Sequence, residues 1–251
     1  MISSLRLLVA AAALATIANA GAADTATPGA NYRVNLPPSA ELNYVIKSRQ
    51  SGIPLEGNAV VQWTAGDRKF TLATEARAAL LGKILDSKSE GLIDEHGLAP
   101  LSFVEKRFRR DQTVTTFDRT AGTIRFSTTE QTLPIQPGEQ DRNSAVWQLA
   151  GVARAAPGKF KAGSEWTFLV AGQRDADPWT FKVVRQEKIR TPLGEISAVH
   201  VIKEPPADSK EQQVDIWLGP QHEWYPVRIR YTDADGDYIE QSLNQIQRKE
   251  S

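Results

Sequence analysis

Three aspartates at alternate positions, Asp233, Asp235 and Asp237, with Glu240 just beyond, are the densest group of potential ligands in this 251-residue sequence. Carboxylates so spaced evoke a calcium loop, whose ligands come from alternate positions around a glycine. Here Gly236 falls between the second and third aspartates. Asp235-Gly236 therefore reads better as a two-residue hairpin turn of type I′. His222-Glu223-Trp224 begins like the zinc-protease pattern H-E-x-x-H, which sets two histidines one helical turn apart. Position 226 is Pro226 instead of the second histidine, and proline would break the helix that the pattern needs. The remaining histidines are His96, in the turn-like Asp94-Glu95-His96-Gly97, and His200, beside Ala198 and Ile202 in a strand. No Gly-x-Ser-x-Gly elbow announces a serine nucleophile, and Gly163-Ser164 stands where a strand begins. The absence of cysteine rules out disulfides, thiol catalysis and thiolate metal sites. No catalytic residue, no metal ligand and no cofactor is assigned from this inventory. An unmarked carboxylate pair acting on carbohydrate or another envelope polymer remains the third reading.

Aromatic residues carry the alternative to chemistry, which is binding. Six tryptophans, eight phenylalanines and five tyrosines recur at alternate positions along many segments. Trp63, Trp166, Trp179 and Phe181 are the residues expected to line a concave apolar face. In a filled barrel they are core; in a wider one they line a cavity for a lipid or another hydrophobe. Basic residues gather at Lys106, Arg107, Arg109 and Arg110, and again at Arg228 and Arg230. A solvated sheet face explains both groups, and contact with a lipid headgroup or an anionic polymer is the minority reading. Lysine plus arginine equals aspartate plus glutamate, 30 each. That balance gives no long-range field toward nucleic acid, which is not an expected partner.

The elements that must position these residues are strands. From Leu42 onward the apolar period is two: Leu42, Tyr44 and Ile46, then Ala59, Val61 and Trp63, then Phe70 and Leu72. Such alternation buries one face of a sheet and wets the other. Gly66-Asp67, Ala121-Gly122, Thr191-Pro192-Leu193-Gly194 and Asp235-Gly236 punctuate the runs as turns. Thr74 to Leu85 fits a strand pair broken at Gly82 better than a helix. One convincing helix is expected near 143–155, capped by Asp141, Asn143 or Ser144, with Val146, Leu149, Ala150 and Ala153 on one face and Pro157-Gly158 after it. About a dozen short strands are too many for a flat open sheet, which curls or splits at that size. The fold class is therefore all-β, mainly antiparallel, with one main helix: a strongly curved sheet or half-open β-barrel.

The N-terminus reads as a signal peptide over residues 1–20. Arg6 is its positive end, Leu7 to Ile17 its apolar run, and Ala18-Asn19-Ala20 its small-residue cleavage site. The apolar run is short for a membrane span. No lipoprotein cysteine follows the cleavage site, and no second long apolar segment follows in the chain. Residues 21–38 read as a flexible lead and 39–247 as a single β domain. These features place the mature chain in a periplasm, with no integral membrane segment left after cleavage.

The second half resembles a bacterial family known only as domain of unknown function 3108. Its marks are Glu139-Gln140-Asp141 ahead of the helix, Lys161-Ala162-Gly163 leading to Trp166, and Thr191-Pro192-Leu193-Gly194 before a valine-rich strand. Val214-Asp215-Ile216-Trp217-Leu218 then precedes Trp224-Tyr225-Pro226-Val227-Arg228, and Asp235-Gly236 with Glu240 closes the series. The resemblance runs from about Pro38 to Gln247 and implies an exported envelope protein of curved β fold, without an activity to carry over. The leading expectation is a non-catalytic binder or carrier of an apolar or amphiphilic envelope ligand. The alternative is an assembly or structural factor that holds another envelope protein through a sheet edge. Export predicts that intact mass and N-terminal sequencing of the periplasmic protein will give Gly21 as first residue. A chain retaining Met1 and the apolar run would overturn the assignment of the leader.

Overall fold

The computed structural model describes residues 32–205 and 211–249, so the expected signal peptide and the first part of the lead lie outside the described residues. Eight strands come first: β1 (Ala40–Gln50), β2 (Ile53–Gly66), β3 (Lys69–Ala78), β4 (Gly82–Asp94), β5 (Gly97–Arg107), β6 (Thr113–Asp118), β7 (Thr123–Phe126) and β8 (Thr129–Pro134). The short β9 (Gln140–Asp141) and the helix α1 (Ser144–Ala155) interrupt them. Six more strands follow: β10 (Glu165–Ala171), β11 (Ala176–Thr191), β12 (Gly194–Lys203), β13 (Gln213–Leu218), β14 (Pro226–Thr232) and β15 (Tyr238–Arg248). All of them form one sheet in the order β8-β7-β6-β5-β4-β3-β2-β1-β15-β14-β13-β12-β11-β10-β9. Every pairing is antiparallel except that of β9 with β10. The sheet does not close on itself, and its free edges are β8 and β9.

Local chemistry explains the turns, in two places differently from the expectation. The β2–β3 turn has Asp67 and Arg68 at its centre, with φ of 51° and 59°, and Gly66 already pairs with Lys69 in the ladder. That is the doubly left-handed geometry whose twist suits a two-residue hairpin. At the β14–β15 turn only Gly236 has positive φ, 82°. Its N–H donates to the Asp233 carbonyl, and the Asp233 N–H donates to the Asp237 carbonyl. The loop is thus a type I turn followed by a left-handed glycine, longer than the two-residue type I′ turn expected from Asp235-Gly236. The Thr74–Leu85 stretch is the strand pair β3–β4, with Gly82 in the left-handed region at φ 71°.

The helix fills the concavity. Every residue from Ser144 to Ala153 is buried, as happens when a helix is enclosed on all sides. Trp147 stacks on Trp63 with ring centres 4.5 Å apart and meets Tyr225 edge-on at 5.9 Å. Ala145, Val146, Leu149, Ala150, Val152 and Ala153 pack on the other side, against Phe168, Phe181, Val201, Ile216 and their neighbours. Room for the helix start comes from β4, whose inward residues Ser87, Ser89 and Gly91 are small. Gln148 is buried but satisfied: its Nε2 donates to the His96 carbonyl at 2.6 Å and its Oε1 accepts from the Leu98 N–H at 2.9 Å.

The last part of the expected flexible lead, residues 32–38, is packed. Asn35 N–H donates to the Gly151 carbonyl, and a Cβ on Gly151 would stand 2.7 Å from Val34. The Pro37 carbonyl accepts from the Trp63 indole and the Pro38 carbonyl from the Tyr225 hydroxyl. Tyr32 meets Trp166 edge-on at 5.1 Å.

Because neighbouring strands run in opposite directions, the β1–β2, β3–β4 and β5–β6 turns share one end of the sheet. The β4–β5 and β6–β7 turns share the other. Trp147 joins the helix to the first half-sheet, so Trp147→Ala is expected to cost about 3–5 kcal/mol, the usual range for a large buried aromatic. Urea unfolding checks this through a lowered midpoint at unchanged slope. A midpoint within error of wild type would mean that the helix does not hold the core.

Candidate functional site

The four aromatic residues expected to line a ligand site fall in two clusters. Trp63 is wholly buried beneath Trp147, and Phe181 is wholly buried beside Phe168, ring centres 5.9 Å apart. Trp166 stacks on Phe160 at 4.8 Å. Trp179 is half-buried, with the Lys203 ammonium 5.0 Å from its ring centre. It borders a surface groove of about 410 Å³ that also touches Glu165, Asp177, Lys182 and Glu211. Lys203 is held at 2.6 Å by Glu211.

A second opening lies where the sheet fails to close. The chain leaving β8 crosses beneath the β4–β5 and β6–β7 turns and leaves a cleft of about 350 Å³. Asp94 and His96 stand on one wall, Arg119 on another, and Ile135, Pro137, Gly138 and Glu139 on the third. Glu139 is almost wholly buried, and Arg119 Nη2 lies 2.6 Å from its Oε1. Arg119 also donates to the Pro100 carbonyl at 2.9 Å. Even so, both Glu139 oxygens, Arg119 Nε and the neighbouring Gln140 Oε1 lack a well-directed hydrogen-bond partner. Burial pushes the Glu139 carboxyl above its ordinary value, and the nearby Asp94 charge adds to this against the pull of Arg119. Buried polar atoms without partners are uncommon and call for an explanation, and here several meet beside an opening.

Next to this cleft Asp141 starts the helix. Its Oδ1 accepts from the Asn143 and Ser144 N–H groups, both at 2.8 Å, and Ser89 Oγ is the partner of its Oδ2. Capping thus comes from Asp141, while Asn143 stands at the cap position without using its side chain.

The other sequence candidates are held in structural contacts. His200 stacks on Trp217 at 4.3 Å, with Nε2 2.7 Å from Asp215 and Nδ1 3.4 Å from Glu187. Burial works to raise the Asp215 carboxyl, but hydrogen bonds from His200 and Gln213 outweigh it and leave it below its ordinary value. This histidine–carboxylate pair lines neither opening. Arg228 and Arg230 reach Glu240 at 3.5 and 2.7 Å, extending the same cross-strand row of charges. Asp233 accepts from Gln212 at 2.6 Å and Asp237 from the Ser51 N–H at 2.6 Å. His222 and Glu223 sit in a loop, where Glu223 pairs with Arg154 and Arg248, each at 3.0 Å. Sequence reasoning missed Arg119 as a site residue. Glu139 was visible only as part of the polar run ahead of the helix.

A family model described as protein of unknown function (DUF3108) matches residues 42–243. No curated protein matches. Among solved structures, a β-barrel-like protein of domain of unknown function DUF1849 from Brucella abortus is similar with a TM-score of 0.56 at 14% identity, covering 86% of this chain and 100% of that one. A DUF1329 family protein from Desulfovibrio piger gives 0.30 at 7%, covering 85% and 86%. A candidate exported protein with a YmcC-like fold from Bacteroides fragilis gives 0.33 at 9%, covering 87% and 100%. Only the first is close enough to speak for the fold.

Asp141 generates a pH dependence. Burial raises its carboxyl from an ordinary 3.8 to about 6, against the hydrogen bonds that favour the ion. A group whose pKa is raised on folding contributes its stability fully below the unfolded value and loses it as pH rises through the folded one. Asp141→Asn keeps an acceptor for the two N–H groups and offers Ser89 a donor. Relative to that variant, the wild type is expected to lose roughly 3 kcal/mol at most between about pH 4 and pH 7. Urea titrations of both proteins across that range check it. Parallel curves would show that Asp141 is not protonated in the fold.

Proposed function

The chain belongs to the DUF3108 family of proteins of unknown function, and we propose that it is a non-catalytic binding protein of the cell envelope that holds a partner protein at the seam of its open sheet. The observation that carries this reading is the filled interior. Helix α1 and its two aromatic clusters occupy the space that an apolar cargo would need. Export follows from the leader expected over residues 1–20.

The seam offers two kinds of contact side by side. Strand β8 pairs on one side only, so alternate backbone groups along its other side have no ladder partner. Its residues Glu130, Gln131 and Thr132 are exposed, and Pro134 removes one donor from the strand. Such an edge suits pairing with a chosen partner strand over indiscriminate sheet extension. The cleft begins where β8 ends, and Asp94, Glu95 and Arg119 along its walls give a charged or polar group of that partner something to meet.

A second reading retains the amphiphile. Trp179 beside Lys203 pairs an apolar face with a charged rim along a groove, and a small amphiphile fits that chemistry.

Native mass spectrometry of the mature protein, purified from its own periplasm without detergent, separates the two. A clean apo mass that does not change with offered fatty acids or phospholipids is expected. A stoichiometric lipid whose retention is lost in Trp179→Ala would overturn the seam reading and establish the amphiphile.

A further inference from the structure

Four of the six large apolar side chains that stand exposed among the described residues lie at one end of the sheet. Leu80 is 89% exposed, Ile53 61%, Leu81 50% and Phe108 38%. They belong to three successive hairpin tips, those of β1–β2, β3–β4 and β5–β6. Tips two strands apart are separated by about 10 Å, and hydrogen bonds from Ala79 N–H to the Glu56 carbonyl and from Phe108 N–H to the Ile84 carbonyl bind each tip to the next. Contiguous exposed apolar surface on a folded domain marks a contact site far more often than single exposed residues do.

Charge selects the occupant. Lys106 and Arg110 have no counter-ion among the described residues, and the Arg109 guanidinium lies 4.9 Å from the Phe108 ring centre. Arg77 and Lys83 flank Leu80 and Leu81 and share Glu75 as a partner, and Lys83 also pairs with Asp86. On the Ile53 side the balance turns acidic, because the Asp237 carboxylate accepts from Ser51 N–H in the neighbouring turn. The cationic and apolar elements therefore coincide at Leu80, Leu81, Phe108, Arg109 and Arg110, with Ile53 at the margin.

We propose that this rim docks the protein on an anionic lipid bilayer, with Leu80, Leu81 and Phe108 entering the interface and Lys106, Arg109 and Arg110 meeting lipid phosphates. The tips stand in a row at one end of the sheet, which fits a planar surface. Short loops that pair apolar tips with arginine and lysine follow the logic of interfacial binding, in which neither component suffices alone. The rim stands apart from the cleft at the seam, which lies at the other end of the strands.

The test is sedimentation of the mature protein with vesicles of phosphatidylcholine containing about one third phosphatidylglycerol, against pure phosphatidylcholine. Binding to the anionic vesicles is expected, weakened by salt, with at least tenfold poorer partition for Leu80→Ser/Leu81→Ser and for Arg109→Glu/Arg110→Glu. These positions are at the surface, so both variants should fold, which circular dichroism verifies. Absence of binding to anionic vesicles, or binding that neither variant weakens, would sink the proposal. So would a concentration-dependent dimer that Leu80→Ser/Leu81→Ser abolishes in sedimentation velocity, since the rim would then be an interface between copies of this chain.

Discussion

Strand β1 pairs with β15 over nearly its whole length, from Ala40 opposite Arg248 to Arg49 opposite Tyr238, with one irregularity between Asn43 and Tyr44. Take that ladder away and the chain is two meanders, β1 to β8 and β10 to β15, each with a long bare edge. The pairing is the most distant in sequence that this chain could make. Its loop-closure cost has to be met before either half gains from the other. What repays it lies in the interior. Leu42, Tyr44 and Ile46 on β1 and Leu243 on β15 belong to the same cluster as Trp63, Trp147 and Tyr225. The ladder and the helix are therefore one cooperative device: the ladder curves the halves toward each other, and the helix gives them something to close on.

A helix inside a sheet must solve a polar problem, because its first N–H groups and last carbonyls have no partners within it. Asp141 takes two of the N–H groups, at a cost in burying a carboxylate, and Arg154 in the last turn ties the far end to Glu223, Asn35 and the Leu36 carbonyl. The lead segment then covers the helix through Gly151, where any side chain would collide with Val34. The same arrangement that stabilises the fold decides what the interior can do. A concavity stopped by twelve helical residues and two aromatic stacks leaves contact with other molecules to the seam, the rim and the outer groove.

Much of this was legible in the residues. Period-two alternation located the strands on both sides of the helix, and the alanine-rich stretch ended by Pro157-Gly158 located the helix almost to the residue. Turn chemistry was legible as to place but less so as to type: Asp67-Arg68 takes the left-handed pair that Gly66-Asp67 suggested, and Asp235-Gly236 sits within a longer loop. Alternation could not say whether Trp63 and Phe181 face a void or a packed helix, because the inward face of a strand reads the same in either case. The cleft was hidden for another reason. Arg119, Glu139 and His96 come from three separate turns, and no local pattern marks residues that meet only when the sheet curls. The packing of residues 32–38 was not legible because it depends on partners far along the chain, Gly151 for Asn35 and Trp63, 26 residues on, for Pro37, and composition shows neither.

The two proposed contact regions lie at opposite ends of the strands, and the antiparallel meander dictates this. Within β1–β8 the odd-to-even turns, which carry Leu80, Leu81 and Phe108, collect at one end, and the even-to-odd turns, which carry His96 and Arg119, collect at the other. A sheet of β4 length, 13 residues, holds those ends roughly 40 Å apart. If the apolar rim rests on a bilayer, the cleft and the end of β8 therefore point away from it. Orientation on a surface restricts a partner's approach to fewer directions and raises its local concentration near the seam, the effect that tethering has on any second binding step. The filled core contributes directly to this arrangement, because a curved sheet packed on its helix holds its two ends in one placement.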